Sequence, residues 1–327
     1  MKPSRRTFLK IAGAALAAPA SLRVATAQTY PARPITIIVP AAAGGTTDLI
    51  ARIVTERMKG PLGQPVIVEN VGGADGSIGA GRVARARPDG YTIEIGHMSN
   101  HVLNGAFYSL NYDVLNDFTP IVPLGTMAFF LAGRKNLPVE DLRELVEWLR
   151  SRPNMASLGV ATAGVRLVAM QFQKETGTRI NLVPYRGVAS ARQDLVAGQI
   201  DLMLDPLDAI SLVRSGSTKA LAVIGEVRLA AAPNIPTFTE VGLPSIPYST
   251  WFGFFAPKGT PREIIDRLNA AAVEATADPE VRSRLIDDLM LDVFPRKQQT
   301  PEALGGLVEA GAEKWWPIIK EFGIKAE

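Results

Sequence analysis

Few of the residues able to do covalent chemistry stand in a useful arrangement in this 327-residue chain. It has no cysteine and only two histidines, His97 and His101, both in one predicted loop. Neither an H-E-x-x-H zinc site nor a thiol nucleophile can be written from them. No serine sits in G-x-S-x-G, and a Ser-His-Asp triad would have to recruit a histidine with no supporting spacing. Carboxylates are plentiful, but most fall on predicted helix faces, where solvation is their ordinary role. Catalysis has no positive signal and no cofactor or metal is indicated. The chemistry left is recognition.

Recognition is best supported at residues 35–52, I-T-I-I-V-P-A-A-A-G-G-T-T-D-L-I-A-R. A β-branched strand runs into small residues and a Gly-Gly turn, then into a helix whose first turn carries Thr46, Thr47 and Asp48. Small residues let a ligand approach the backbone, and free N–H groups at a helix start favour negative charge. The segment lacks the endings of a P-loop and of a dinucleotide fold, so phosphate is not specifically indicated. An ordinary turn with Thr or Asp as N-cap is the competing local reading. Other strand-end loops that would face a crevice are Gly73–Ser77, His97–Asn104, Ala161–Arg166, Tyr185–Ala189 and Asp205.

Within these loops the residue types differ in what they offer. Arg166 near a helix start is disfavoured by the helix dipole, a cost that an anionic ligand would offset. Tyr185 suits a cleft wall, and Arg186 suits a structural pairing with a carboxylate. Asp205 reads as a helix N-cap or as a ligand group for a hydroxyl or amine. Ser99 and Asn100 are neutral donors, better placed for a ligand than the two histidines, which read as locally hydrogen-bonded. Trp251 reads as a packed hinge aromatic.

The elements that would position these loops alternate in type, the pattern of α/β architecture. Strands are predicted at Ile35–Val39, Val66–Glu69, Tyr91–Gly96 and Phe118–Leu124, with helices near 48–58 and 77–86. A second group opens with a helix at Val139–Arg150 and continues with strands at Met155–Val160, Ile180–Pro184, Ile200–Leu204 and Ala220–Ile224. Helices near 166–176, 189–197 and 206–215 lie between them, with Gly198 and Gly216 at expected C-caps. Trp251–Ala256 is a strand returning to the first group, followed by helices near 261–276, 279–290 and 301–322. Two crossings imply two lobes, a two-strand hinge and a cleft. The predicted division is 28–125 with 251–327 as lobe 1 and 126–250 as lobe 2.

Residues 1–27 read as a twin-arginine export signal: Arg5-Arg6 precede a mildly apolar run and the A-x-A site Ala25-Thr26-Ala27, so a mature chain beginning at Gln28 is expected. The apolar run is shorter than the ~20 residues that span a bilayer. The chain holds 35 Lys and Arg against 32 Asp and Glu. Lys2, Arg5, Arg6, Lys10 and Arg23 belong to the signal, leaving 30 cations against 32 anions. No basic run with interleaved aromatics remains, so nucleic-acid binding is not indicated. With 47% apolar residues the remainder can fill two cores. A soluble periplasmic protein is expected.

Several motifs together resemble Bug-type receptors of the tripartite tricarboxylate transporter family. They are Y-P-x-R-P-I (30–35) followed by V-P-x-x-x-G-G-T-T-D, V-E-N (68–70) with its Gly-rich continuation, P-D-G-Y-T (88–92) and N-Y-D-x-x-x-D-F-T-P (111–120). V-P-Y-R-G (183–187), D-L-x-A-G-Q-I-D (194–201), I-P-T-F-T-E-V-G-L-P (235–244) and W-F-G-F-F-A-P-K-G-T-P (251–261) continue the series in order. The resemblance implies a type II periplasmic binding protein fold, two Rossmann-like α/β domains joined by a two-strand hinge. It implies a monomeric receptor without catalysis that closes on a small organic acid and delivers it to the permease subunits of a tripartite carboxylate transporter. A sensor for a membrane signalling partner, or an exported hydrolase or lyase, are the alternatives. By the resemblance, Ala43, Gly44, Gly45, Thr46 and Thr47 hold one carboxylate. The other lobe contributes Thr162, Ala163, Gly164, Arg166, Tyr185 and Asp205, beside Ser99 and Asn100. Positions 42 and 43 are Ala where the family often has Pro. The segment 161–167 is short, and Arg166 stands near the family's usual His.

Overall fold

The computed structural model describes residues 30–322 apart from 226–227, 229–231 and 244–247. The predicted export signal lies outside the described residues. β1 (Ile35–Val39), α1 (Thr46–Leu62), β2 (Val66–Asn70), α2 (Ser77–Ala84), β3 (Thr92–His97) and α3 (Asn104–Phe107) come first. β4 (Phe118–Arg134) then leads to α4 (Leu142–Ser151), β5 (Ser157–Val160), α5 (Ala163–Thr176), β6 (Asn181–Pro184), α6 (Val188–Ala197), β7 (Leu202–Pro206), α7 (Ile210–Arg214) and β8 (Thr218–Ile224). β9 (Ser249–Pro257), α8 (Arg262–Ala277), α9 (Pro279–Ser283), β10 (Asp292–Val293) and α10 (Pro301–Glu321) complete the described chain.

The strands follow the order β2-β1-β3-β9-β4-β7-β5-β6, with β8 and β10 also pairing with β4. β1 runs parallel to β2 and β3, and Ile35, Ile37, Ile38 and Val39 are fully buried, as a parallel strand covered on both faces requires. β5 is likewise parallel to β6 and β7. The strand predicted to end at Leu124 continues to Arg134 and changes partners on the way. Up to Ala128 it pairs with β9, and from Phe129 it pairs with β7 and β8. One strand thus belongs to two α/β lobes. Pro120 and Pro123, which lack an N–H to give the ladder, each lie beside a shift in register with β9.

Helix starts follow their caps more closely than their hydrophobic period. α4 begins at Leu142 and not at Val139, because the Asp141 carboxylate accepts the Glu144 N–H. The helix predicted near 206–215 is shorter, a 3-10 turn at Leu207–Ala209 preceding α7. Gly198 ends α6 in the left-handed conformation as expected, whereas Gly216 follows the C-cap Ser215. The helix predicted over 279–290 divides into α9 and a π-helical turn at Arg284–Asp288.

One lobe's core joins Ile37, Ile50 and Val54 to Phe254 and Leu268. In the other, Leu145, Leu158, Val168, Phe172 and Phe238 pack under α4 and α5. Gly79 sets how closely α2 approaches the end of β1. A Cβ there would lie 2.7 Å from Val71 O and 3.0 Å from Pro40 Cα. Among the described residues no helix is long and apolar enough to cross a membrane.

Candidate functional site: the cleft between the lobes

The start of α1 is held from behind and left open in front. Its N-cap is Gly45, with no side chain capping it, so the expected Thr or Asp cap is not what forms. Asp48 instead reaches back to accept the Gly44 N–H at 2.9 Å, Arg52 Nε at 2.9 Å and Asn70 Nδ2 at 2.9 Å. Asn70 also donates to Ala41 O at 3.2 Å, fixing the preceding loop. Burial opposes ionisation of Asp48, but Arg52, the Gly44 N–H and Asn70 outweigh it and hold the carboxyl below its usual range. With no cap, the first-turn N–H groups remain available to an acceptor.

The second lobe brings a matching helix start. α6 has Gly187 as N-cap, again without a side-chain cap. The two starts meet across the lobes: a Cβ on Gly187 would be 3.5 Å from Ala42 Cβ, and one on Gly45 would be 4.0 Å from Ala189 N. Between them lies a cavity of ≈ 30 Å³, walled by Gly45, Thr46 and Thr47 on one side and by Arg186, Gly187 and Val188 on the other. That is about the space of one water molecule. Among the described residues Arg186 has no hydrogen-bond or ion-pair partner, unlike the structural pairing expected from sequence.

A polar chain spans the same interface. Thr46 Oγ1 donates to Asp208 Oδ2 at 2.7 Å. Arg192 donates to Asp208 at 2.6 Å and to both oxygens of Asp205, the shortest bond being 2.7 Å. Asp205 is therefore buried inside β7 on an arginine partner, and neither caps a helix nor reaches the cavity wall. Burial pushes its carboxyl up, and Arg192 pulls against that shift.

Outside the small cavity the cleft widens to ≈ 240 Å³, where Asp75, Tyr108, Arg166, Tyr185 and Arg186 line it. Tyr185 Oη donates to Asp194 Oδ2 at 2.6 Å, which fixes the ring. Among the described residues Arg166 has no hydrogen-bond or ion-pair partner, and Asp75 is the charge it acts on. Thr162 caps α5 by accepting the Val165 N–H at 3.3 Å.

Six of the residues singled out from sequence thus line the cleft: Gly45, Thr46, Thr47, Thr162, Arg166 and Tyr185. Ala43 and Gly44 are exposed beyond its wall, with Ala41 and Ala42 taking their place. Ser99 Oγ is engaged with the Gly164 N–H at 3.3 Å. Asn100 is fully buried between the His97 N–H and Glu94 Oε1, each bond 2.7 Å. Gly164 lies under Tyr248, whose Oη would be 1.8 Å from a Cβ there. Ala163 is buried at the helix start, behind the wall. His97 and His101 are not loop residues. His97 ends β3 and lines the inner cavity, while His101 stacks on Phe255 at 3.8 Å in the core. Trp251 is buried against Phe255, as expected of a packed aromatic. Asp75, His97, Arg186 and Val188 also line the cleft; they fall within three loops expected to face a crevice, but none was singled out from sequence as a ligand contact. The Gly-rich loop around Asp75 and the V-P-Y-R-G motif were the signals that contained two of them.

Comparison with known proteins agrees with this fold. The profile of the family described as "Tripartite tricarboxylate transporter family receptor" matches residues 50–324. Protein BugT of Bordetella pertussis is 34% identical over 320 residues, 96% of this chain and 95% of that one. MatC from Rhodopseudomonas palustris, solved with bound malate, is 36% identical and superposes with a TM-score of 0.85, covering 89% of this chain and 100% of that one. R. palustris Rpa4515, solved with adipate, is 31% identical with a TM-score of 0.85, covering 91% and 100%.

Proposed function

This chain belongs to the tripartite tricarboxylate transporter receptor family, and from that premise we propose how its cleft works. It is a periplasmic solute-binding receptor and not an enzyme. A ligand carboxylate sits between the starts of α1 and α6, taking N–H groups of Thr46 and Thr47 and of Gly187 and Val188. Arg186 neutralises it, and the rest of the acid extends into the wider cleft past Arg166 and Tyr185. Convergence of two uncapped helix starts beside Arg186 is the observation that carries this reading. The malate of MatC and the adipate of Rpa4515 support small carboxylates as the ligand class.

The remaining parts of the reading follow the family. The lobes are 28–125 with 251–327 and 126–250, a division three residues from the partner change in β4. The receptor works as a monomer and hands its acid to the membrane subunits of the transporter. Residues 1–27 direct export by the twin-arginine pathway.

A thermal-shift screen of small carboxylates, followed by calorimetry, tests the seat. Arg186→Ala should weaken the best acid by about 1.5–3 kcal/mol, the worth of a charged hydrogen bond. Equal affinity in the two proteins would refute the role of Arg186, and conversion of the acid to product would refute the receptor.

A further inference from the structure

The start of α5 also faces the cleft, yet the protein's own groups occupy its donors. The Gly164 N–H goes to Ser99 and the Val165 N–H to Thr162, and the Asp75 carboxylate stands near enough to the Ala163 N–H for that group to favour its charge. Asp75 and Ser99 come from the opposite lobe. Asp75 is held there at φ 53°, a left-handed conformation that Asp and Asn tolerate better than most residues. Although the residue as a whole keeps some exposure, its Oδ2 is buried and has no hydrogen-bond partner. The carboxylate borders both the inner cavity and the wider cleft. Burial pushes it up to about 7, against the Ala163 N–H and Arg166. A buried acceptor without a donor is rare unless something else supplies one.

Resting on the receptor reading above, we propose that Asp75 determines specificity. Its carboxylate fills the second-lobe anion seat, so the preferred acid has one carboxylate and a far end that donates a hydrogen bond to Asp75 Oδ2. A second ligand carboxylate would have to displace Asp75 from Ala163 or face Oδ2 acceptor to acceptor, two like charges in a desolvated site. A hydroxyl, amide or ammonium group satisfies the orphan oxygen.

Isosteric pairs separate the two cases: succinate against its half-amide succinamate, and adipate against adipamate. Calorimetry at about pH 8, above the titration of the carboxyl, reads the preference. The wild-type chain should bind a half-amide at least about ten-fold more tightly than its diacid, the scale of one satisfied buried hydrogen bond. Asp75→Asn keeps the shape and the backbone conformation but removes the charge, and should abolish that preference. Asp75→Gly serves the same purpose if the Asn variant does not fold. Tighter binding of both diacids by the wild type overturns the proposal, as does a preference unchanged by substitution. So does binding of other carboxylates but of neither half-amide. If no carboxylate of any kind binds, the receptor reading itself fails and this one with it.

Discussion

His97 shows how far the fold can change one side chain. Its Nδ1 accepts the Ser99 N–H at 3.2 Å, which places the ring proton on Nε2 and leaves the imidazole neutral. Burial, with His101 nearby, lowers its pKa to about 3. The unfolded value is about 6.5, so between the two the unfolded chain binds a proton that the native protein does not. The contribution is complete above about pH 6.5 and is lost as pH falls toward 3, by at most about 1.4 kcal/mol per unit. His97→Gln should therefore flatten the acid limb of stability measured by urea unfolding between about pH 6 and pH 4. Parallel limbs in the two proteins would refute this. Sequence placed His97 in a polar loop because its cover comes from far away: the Phe252 ring, 6.1 Å off, lies on β9. Asp205 was misread for a similar reason, its partner Arg192 being brought over by the packing of α6.

At the scale of elements, Thr46 joins the two lobes through its hydroxyl on Asp208. Thr46→Val keeps the shape and removes the donor, leaving Asp208 to Arg192 alone. The closed arrangement should lose about 1.5–3 kcal/mol, and apparent ligand affinity should fall with the closed fraction. Small-angle scattering of the ligand-free variant should show a larger radius of gyration. Unchanged scattering together with unchanged affinity would show that the bond does not govern closure. Local sequence indicated most strands and helices because period and punctuation are local properties. It could not indicate that Gly45 would serve as N-cap, since Thr46 is drawn to a carboxylate 162 positions away and Asp48 to Arg52 and Asn70. It also ended β4 ten residues early, where alternating partners replace a single continuous ladder.

For the molecule as a whole, the order of motifs along the chain revealed the architecture that no single motif could. The export reading belongs to this scale too: the chain recovered from the periplasm should begin at Gln28 by intact-mass measurement, and retention of residues 1–27 would refute cleavage there. The cleft combines two kinds of material. Its inner part is walled chiefly by the starts of α1 and α6, with Asp75 and His97 beside them, while its wider part is built from side chains such as Arg166 and Tyr185. Peptide groups are common to all residues but proline, so substitution within the helix starts seldom deletes them. If the helix starts hold the ligand as proposed, heredity can edit the outer vocabulary freely while that hold persists, and descendants of such a chain can change diet without passing through a form that binds nothing.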